Sequence, residues 1–333
     1  MTPRLDRSSG TSVESTAGRP RFVSRTEVVA FIIGAGLVMV ADKWLLSLPL
    51  RLGSDWDWYR DGPFRLAAGL PLYDASMLGG PFNYLTGPLV WNQAPWALAV
   101  VAPFALLPDA IQMPAWLLFT DCALLVGLAL TWPKSTTPVF LFIATITALS
   151  APFLMGMSWG NLQSVAALGI GLFMFGYRKR SDALMGVGIA VAATKLIPAL
   201  PLVTFVVLRA RRWRPLFVSG ILLGVAMIPV LIVRPTALSD FALVALNMDS
   251  LRTTYNLSPA LWLTGGIWLV RAVVLVLGAA AIRFVRSDDA LQVILLGLAC
   301  LLVQNLYADW FVMPLLGLLN WQKGRHCLST VAL

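Results

Sequence analysis

Long apolar runs limit what this chain can become. They lie at roughly 27–50, 86–108, 112–132, 138–156, 161–177, 183–208, 215–233, 257–284, 290–306 and 310–321. Most are rich in Leu, Val, Ala and Ile and are edged by Trp, Arg or Pro. About 20 such residues suffice for an α-helix to cross ~30 Å of hydrocarbon, whereas a membrane barrel would show short segments of alternating polarity. With 58% hydrophobic residues and 13 Trp among 333 residues, too little polar surface remains to cover a soluble globule. The sequence predicts an all-α protein, a polytopic transmembrane helical bundle whose first partner is the lipid bilayer.

The net charge of +9 does not point to nucleic acid. The basic residues form short clusters at the ends of apolar runs, where they orient a membrane protein. Residues 1–26, with Arg4, Arg7, Arg19, Arg21 and Arg25, read as a disordered basic cytoplasmic arm, 27–321 as the transmembrane domain and 322–333 as a cytoplasmic tail. The first run, interrupted by Asp42-Lys43, is too long for a signal-peptide core and is expected to be retained. Arg178-Lys179-Arg180, the run from Arg209 to Arg214, Arg283 with Arg286, and Lys323 with Arg325 mark inner ends. Gly53–Tyr84, the GNLQ turn at Gly160–Gln163 and the 235–256 loop then fall on the outer side.

Two consequences follow for the spans. The 183–208 segment, basic at both ends, must enter and return as a broken hairpin turning near Lys195-Leu196-Ile197-Pro198. An even number of crossings between the first outer loop and GNLQ requires one of three intervening segments to stop short, and 86–108, with WNQAPW and its prolines, is the candidate. PFRLAAGLPLY in the first outer loop has the pattern of a short interfacial helix.

That loop also carries an excess of charge. GSDWDWYRDGPFRLAAGLPLYD holds four Asp, two Arg, two Trp and two Tyr in a chain that is only 12% charged. An aromatic belt at the membrane boundary explains the Trp and Tyr, but not paired carboxylates. Asp55 or Asp57, partly desolvated by aromatics at the water boundary, is suited to act as a general base. Lys195 stands far from either basic end of its segment, and a lysine at that depth either snorkels or meets an anionic ligand, above all a phosphate. Arg271 poses the same choice at a shallower level, and Arg252 is a weaker candidate in a loop. Asp309 either separates two helices or binds hydroxyls of a polar ligand. Asn161 and Gln163 suit a helix start or a ligand contact. Cys122, Cys300 and Cys327 lack metal or redox spacing, the lone His326 lies in the tail, and no HExxH, P-loop or nucleophile elbow is present.

In their order along the chain these features resemble the GT-C superfamily of polyprenyl-phosphate-dependent glycosyltransferases, most closely glycosyltransferase family 87. The family's first outer loop has an acid, a tyrosine four residues on, and a later G-x-P-L-Y element, which look like Asp55, Tyr59 and Gly69-Leu70-Pro71-Leu72-Tyr73. A tyrosine and prolines leading into an apolar segment match FNYLTGPLVWNQAPWALAVVAPFALLP. Gly160-Asn161 is similar to the G-Q/N turn, Lys195-Leu196-Ile197-Pro198 to a K-x-x-P element, Asn256-Leu257-Ser258 to N-x-S and Tyr307-Ala308-Asp309 to Y-x-D. The chain departs from the pattern in carrying Asn161 where glutamine is commoner and in ending soon after Asp309.

The resemblance implies an inverting transfer on the extracytoplasmic face of the cell membrane. A sugar, usually mannose, would pass from a polyprenyl-phosphate donor to a glycolipid or glycan acceptor, with Asp55 as general base. Asp57, Tyr59, Tyr73, Asn161, Gln163, Lys195, Arg252, Asn256, Arg271 and Asp309 would bind substrate. Lys195 or Arg271 would stabilise the departing phosphate without a metal or other cofactor, although the Asp55/Asp57 pair leaves a divalent cation open. A transporter or flippase is the alternative from another class, since broken helices and mid-segment cations suit one. A non-catalytic envelope scaffold is a third.

Overall fold

The computed structural model describes residues 53–79, 91–131 and 159–247, with isolated positions at 276, 279, 280, 283 and 284. The basic arm, the 27–50 and 138–156 runs, Arg252, Asn256, Arg271, the runs at 290–306 and 310–321, Asp309 and the tail lie outside the described residues, as does nearly all of the 257–284 run. Among the described residues the chain is helical throughout and contains no strand. In chain order the helices are α1 Ser54–Ala67, α2 Ala75–Leu78, a 3-10 turn Pro95–Ala97 running into α3 Leu98–Ala105, α4 Asp109–Thr131, α5 Gln163–Arg178, α6 Asp182–Ala192, α7 Leu196–Phe205, α8 Arg214–Val233 and α9 Ala237–Asn247.

Among the described residues, two stretches are long and apolar enough to cross a membrane, Asp109–Gly127 within α4 and Arg214–Val233 as α8. On α8, Phe217 is 72% and Ile232 77% exposed to the surroundings. An apolar surface of that length is accepted by hydrocarbon and refused by water. The 86–108 run behaves differently: in its described part, 91–108, the helix Pro95–Ala105 has 11 residues. At 1.5 Å per residue it reaches only ~16 Å, about half of a bilayer core.

The helices α4, α5 and α6 meet along small residues. A Cβ placed on Gly171 would press into the backbone of Gly127 on α4, and one on Gly169 would strike the backbone nitrogen of Ala192 on α6. A Cβ on Gly188 would in turn meet the backbone of Phe173. Such seams let backbones approach and gather dispersion contacts where lipid supplies no hydrophobic drive. The order of contacts, Trp116 with Gly160 and Gly127 with Ala167 and Gly171, makes α4 and α5 parallel. Pairing of Gly176 with Met185 and of Gly169 with Ala192 makes α6 antiparallel to α5.

Because backbone cannot yield as a flexible side chain can, Gly169→Val is expected to cost about 3 kcal/mol. Gly220→Ala, on α8 with open space around it, instead gains helix propensity of up to about 1 kcal/mol. Thermal unfolding of both variants in detergent checks this; equal midpoints would reject the seam.

The chain turns back at Ala193–Lys195. Thr194 and Lys195 close a turn on Val191 and Ala192, and Lys195 is extended (φ −113°, ψ 103°) before α7 begins at Leu196. Phe205 at the far end of α7 packs on Phe173 and Tyr177, at centroid distances of 5.8 and 5.0 Å. Thus α6 and α7 form the broken hairpin expected for 183–208, with its turn two or three residues earlier than Lys195–Pro198.

The segment expected as the first outer loop differs from expectation in its helix. PFRLAAGLPLY is not a helix of its own: α1 begins at Ser54 and stops at Ala67. Gly69 is left-handed (φ 68°), and its N–H bonds Leu66 O while Leu70 N–H bonds Arg65 O. This is the Schellman arrangement, followed directly by Pro71, and it ends a helix firmly. Leu72 and Tyr73 then turn inward to full burial. Residues 237–247, expected as outer loop, form α9, because Ala237, Phe241 and Val244 make one apolar stripe at helical spacing. Phe241 stacks on Tyr73 at 6.1 Å, and Arg234 and Asn247 donate to carbonyls of Leu70, Met77 and Leu78, which fastens α9 to the loop after α1.

Candidate active site

The four aspartates of the first loop have separate employments. Asp57 lies 3.1 Å from Arg60 one turn on, each side chain about two-fifths exposed. Asp61 accepts from the backbone N–H of Trp91 at 3.0 Å and faces Arg65. Arg65 also bonds Asp74 at 3.3 Å and donates to Pro71 O at 2.8 Å, while Asp74 caps α2 through the N–H of Ser76. Burial pushes the Asp61 carboxyl upward, and the Ser76 bonds hold that of Asp74 below its usual range. These groups fold the loop. Asp55 alone turns toward the helix bundle.

Gly53, left-handed at φ 65°, starts α1 against Met113 of α4, where a Cβ would overlap the methionine side chain. That fixes the first turn of α1 and Asp55 within it. Asn161 Nδ2 donates to Asp55 Oδ2 at 2.6 Å, and the hydroxyl of Tyr59, one turn along α1, also bonds the carboxylate. Tyr59 is 2% exposed and its oxygen accepts the N–H of Leu162 at 3.3 Å. Asn161 uses its remaining oxygen to accept the N–H of Gln163 at 2.9 Å, an Asx turn that opens α5.

Beneath the acid lies an aromatic floor. Trp116 is fully buried, 5.4 Å from Trp56, 5.8 Å from Tyr59 and 5.3 Å from Phe104. Its indole N–H donates to Gly160 O at 2.6 Å. Gly160 is left-handed (φ 65°), and a Cβ there would collide with the indole, so this turn requires glycine. From a third direction, Trp96 Nε1 donates to Ala193 O at 2.7 Å and holds the helix break that carries Lys195.

The electrostatics follow from this packing. Desolvation raises the Asp55 carboxyl from its usual 3.8 to about 6, against the charge of Lys195 and the bonds from Asn161 and Tyr59, all of which lower it. A carboxylate poised near neutrality, with an amide and a phenol fixing its orientation, can accept a proton from a hydroxyl.

Of the residues singled out in the sequence, Asp55, Tyr59, Asn161 and Lys195 converge, although they come from three separate segments. Gln163 sits beside them in sequence, 2% exposed, and neither atom of its amide finds a hydrogen-bond partner. Asp57 is drawn away by Arg60. Tyr73 is a core residue whose hydroxyl donates to Gln93 O at 2.7 Å. Among the described residues no three His, Cys, Asp or Glu side chains gather where an ion could sit.

Sequence reasoning passed over the Trp116–Gly160 and Trp96–Ala193 bonds, which no pattern announces. It also passed over Asp121, 3% exposed within the long apolar helix α4. Asp121 carried the same signal as Lys195, an ionisable group inside an apolar run.

Among the described residues, helices bring an oriented acid, an amide and a cation together. The family model of glycosyltransferase family 87 matches residues 91–306, about two-thirds of the chain, and the chain belongs to this family. It is a glycosyltransferase, acting on a sugar donor and an acceptor. The match takes in Asn161, Gln163 and Lys195, and Asp55 and Tyr59 precede it. No curated protein and no solved structure matches the chain.

Proposed function

We propose that this glycosyltransferase takes its sugar from a polyprenyl phosphate and passes it, with inversion, to a glycolipid or glycan hydroxyl on the extracytoplasmic face of a multi-pass membrane domain. Mannose is the sugar the family resemblance favours. The observation that carries the reading is the half-buried Asp55, oriented by Asn161 and Tyr59 and facing the charge of Lys195. Asp55 removes the proton of the acceptor hydroxyl as its oxygen attacks the anomeric carbon. The carbon–oxygen bond to the phosphate breaks on the opposite face, and polyprenyl phosphate leaves as an anion. Lys195 offsets that charge in a low-dielectric setting, where one cation counts for more than in water. Gln163, buried with both amide atoms unsatisfied, is placed to exchange hydrogen bonds with sugar hydroxyls.

Membranes containing the protein, supplied with radiolabelled polyprenyl-phosphate mannose and a glycolipid extract, are expected to yield labelled glycolipid. No label in product from this donor or its arabinose and glucose counterparts would reject the reading. The pH profile is a second check. Asp55 must be ionised to act, so the transfer rate should fall tenfold per pH unit as pH drops below about 6. A profile flat down to pH about 4.5 would remove Asp55 from the proton's path.

A further inference from the structure

At the end of the bundle opposite Asp55, two turns lie side by side. One joins α5 to α6 through Lys179, Arg180 and Ser181; the other, residues 211–213, leads into α8 from a π-helical turn Val206–Ala210 that continues α7. Arg212 of the second reaches Asp182 of the first at 3.1 Å, and Gly186 packs on Pro215 and Val218. Among the described residues, seven cations, Arg178, Lys179, Arg180, Arg209, Arg211, Arg212 and Arg214, flank these two turns, and Asp182 is the carboxylate beside them.

Two of these arginines stand where glycine is the usual occupant. Arg180 (φ 54°) and Arg211 (φ 50°) are the non-glycine residues with left-handed backbone among those described. Arg180 closes the Schellman arrangement at the end of α5, through its N–H to Tyr177 O and Ser181 N–H to Gly176 O. That conformation is strained for a residue with a Cβ, and strain of this kind persists where something else requires the side chain. Among the described residues, the side chains of Arg180, Arg211 and Arg214 have no hydrogen bond or ion pair, while Arg212 is taken up by Asp182. Orienting a membrane protein calls for positive charge in a loop, but not for arginine at a glycine position in each of two adjoining turns.

The same end opens onto lipid-compatible surface. Trp213 is 66% exposed beside the second turn, and Phe217, Ile221, Val225 and Ile228 continue along α8, each about half to three-quarters exposed. An indole at the boundary, an apolar track below it and unpaired guanidinium groups above it complement one class of molecule, in which a phosphate is joined to two acyl chains.

We propose that an anionic glycerophospholipid docks at this end, its phosphate between Arg180 and Arg211 and its chains along the exposed face of α8. Arginine suits the phosphate because its planar fork donates two hydrogen bonds at once. The site is separate from the Asp55 cluster and does not depend on the sugar or acceptor used there.

The test uses the purified full chain in neutral detergent, with phosphatidylglycerol or phosphatidylcholine added at equal mole fraction, and reads the thermal unfolding midpoint. Phosphatidylglycerol is expected to raise the wild-type midpoint by several degrees more than phosphatidylcholine, as a ligand of the native state does. In Arg180→Gly/Arg211→Gly that difference should shrink by more than half, while the midpoint in phosphatidylcholine stays level or rises because backbone strain is relieved. Arg180→Asn/Arg211→Asn, which also tolerates the left-handed backbone, guards against an effect of glycine flexibility and should behave alike. A full phosphatidylglycerol increment in either double variant, or none in the wild type, overturns the proposal.

Discussion

Asp55→Asn is expected to lower sugar transfer by about 10²–10⁴-fold while leaving the protein inserted and folded. The substitution keeps the shape of the side chain and a hydrogen bond with Asn161, but removes the lone pair basic enough to take a proton. Its effect on stability runs the other way. Because the folded carboxyl titrates near 6 and the unfolded one near 3.8, the native state binds this proton more tightly. The stability it contributes is complete below 3.8 and is lost as pH rises through about 6. At about pH 7.5 the native protein therefore bears the cost of an ionised, desolvated acid, and the neutral amide relieves it. Asp55→Asn should thus melt no lower than the wild type there. Full transfer activity in the variant would remove Asp55 as the base, and substrate flux across vesicles that survives the change would favour transport.

The second large effect is expected at Lys195. Lys195→Met retains the aliphatic stem and removes the charge, and transfer should fall by about 10²–10³-fold, the scale seen when one donor to a developing anion is lost. Two further readouts separate this role from mere packing. The cation lowers the Asp55 carboxyl, so its removal moves the acid limb of the pH profile upward. Lys195→Arg restores charge with different geometry and should recover part of the rate. An unshifted acid limb in Lys195→Met, with the rate restored by any residue of similar bulk, would mean that the cation does not act on this site.

The parts of the site that could be read from residues alone were those that break a local rule. A carboxylate with a tyrosine one turn later, a polar GNLQ between apolar runs and a lysine in AVAATKLIPALP are each out of keeping with their neighbours, and Asp55, Tyr59, Asn161 and Lys195 do come together. What periodicity cannot give is the direction in which a group on a short helix points. Asp57 is two residues from Asp55 on α1, which puts it on a different face, and Arg60 pairs with it. Tyr73 looked like a site residue for its place in G-x-P-L-Y, yet the Schellman turn at Gly69 redirects the chain and buries it. The charge density of the loop was legible, but its division was not: Arg65 ties Asp61 and Asp74 into a clasp that only the folded path brings within reach. The hairpin near Lys195 followed from charge at the ends of its segment, an argument that survives ignorance of packing. α9 was overlooked because its stripe is only three residues long.

Asn161 is 106 positions beyond the carboxylate it orients, and Ala193 is 97 beyond the indole that holds it. While the ribosome is still delivering these later segments, Asp55 is an ordinary wet acid with little power to deprotonate anything. Its proton affinity changes only when the GNLQ turn and the α6–α7 break close over it. If Asp55 is the base, as proposed, catalytic competence is latent until both later segments have been made and packed.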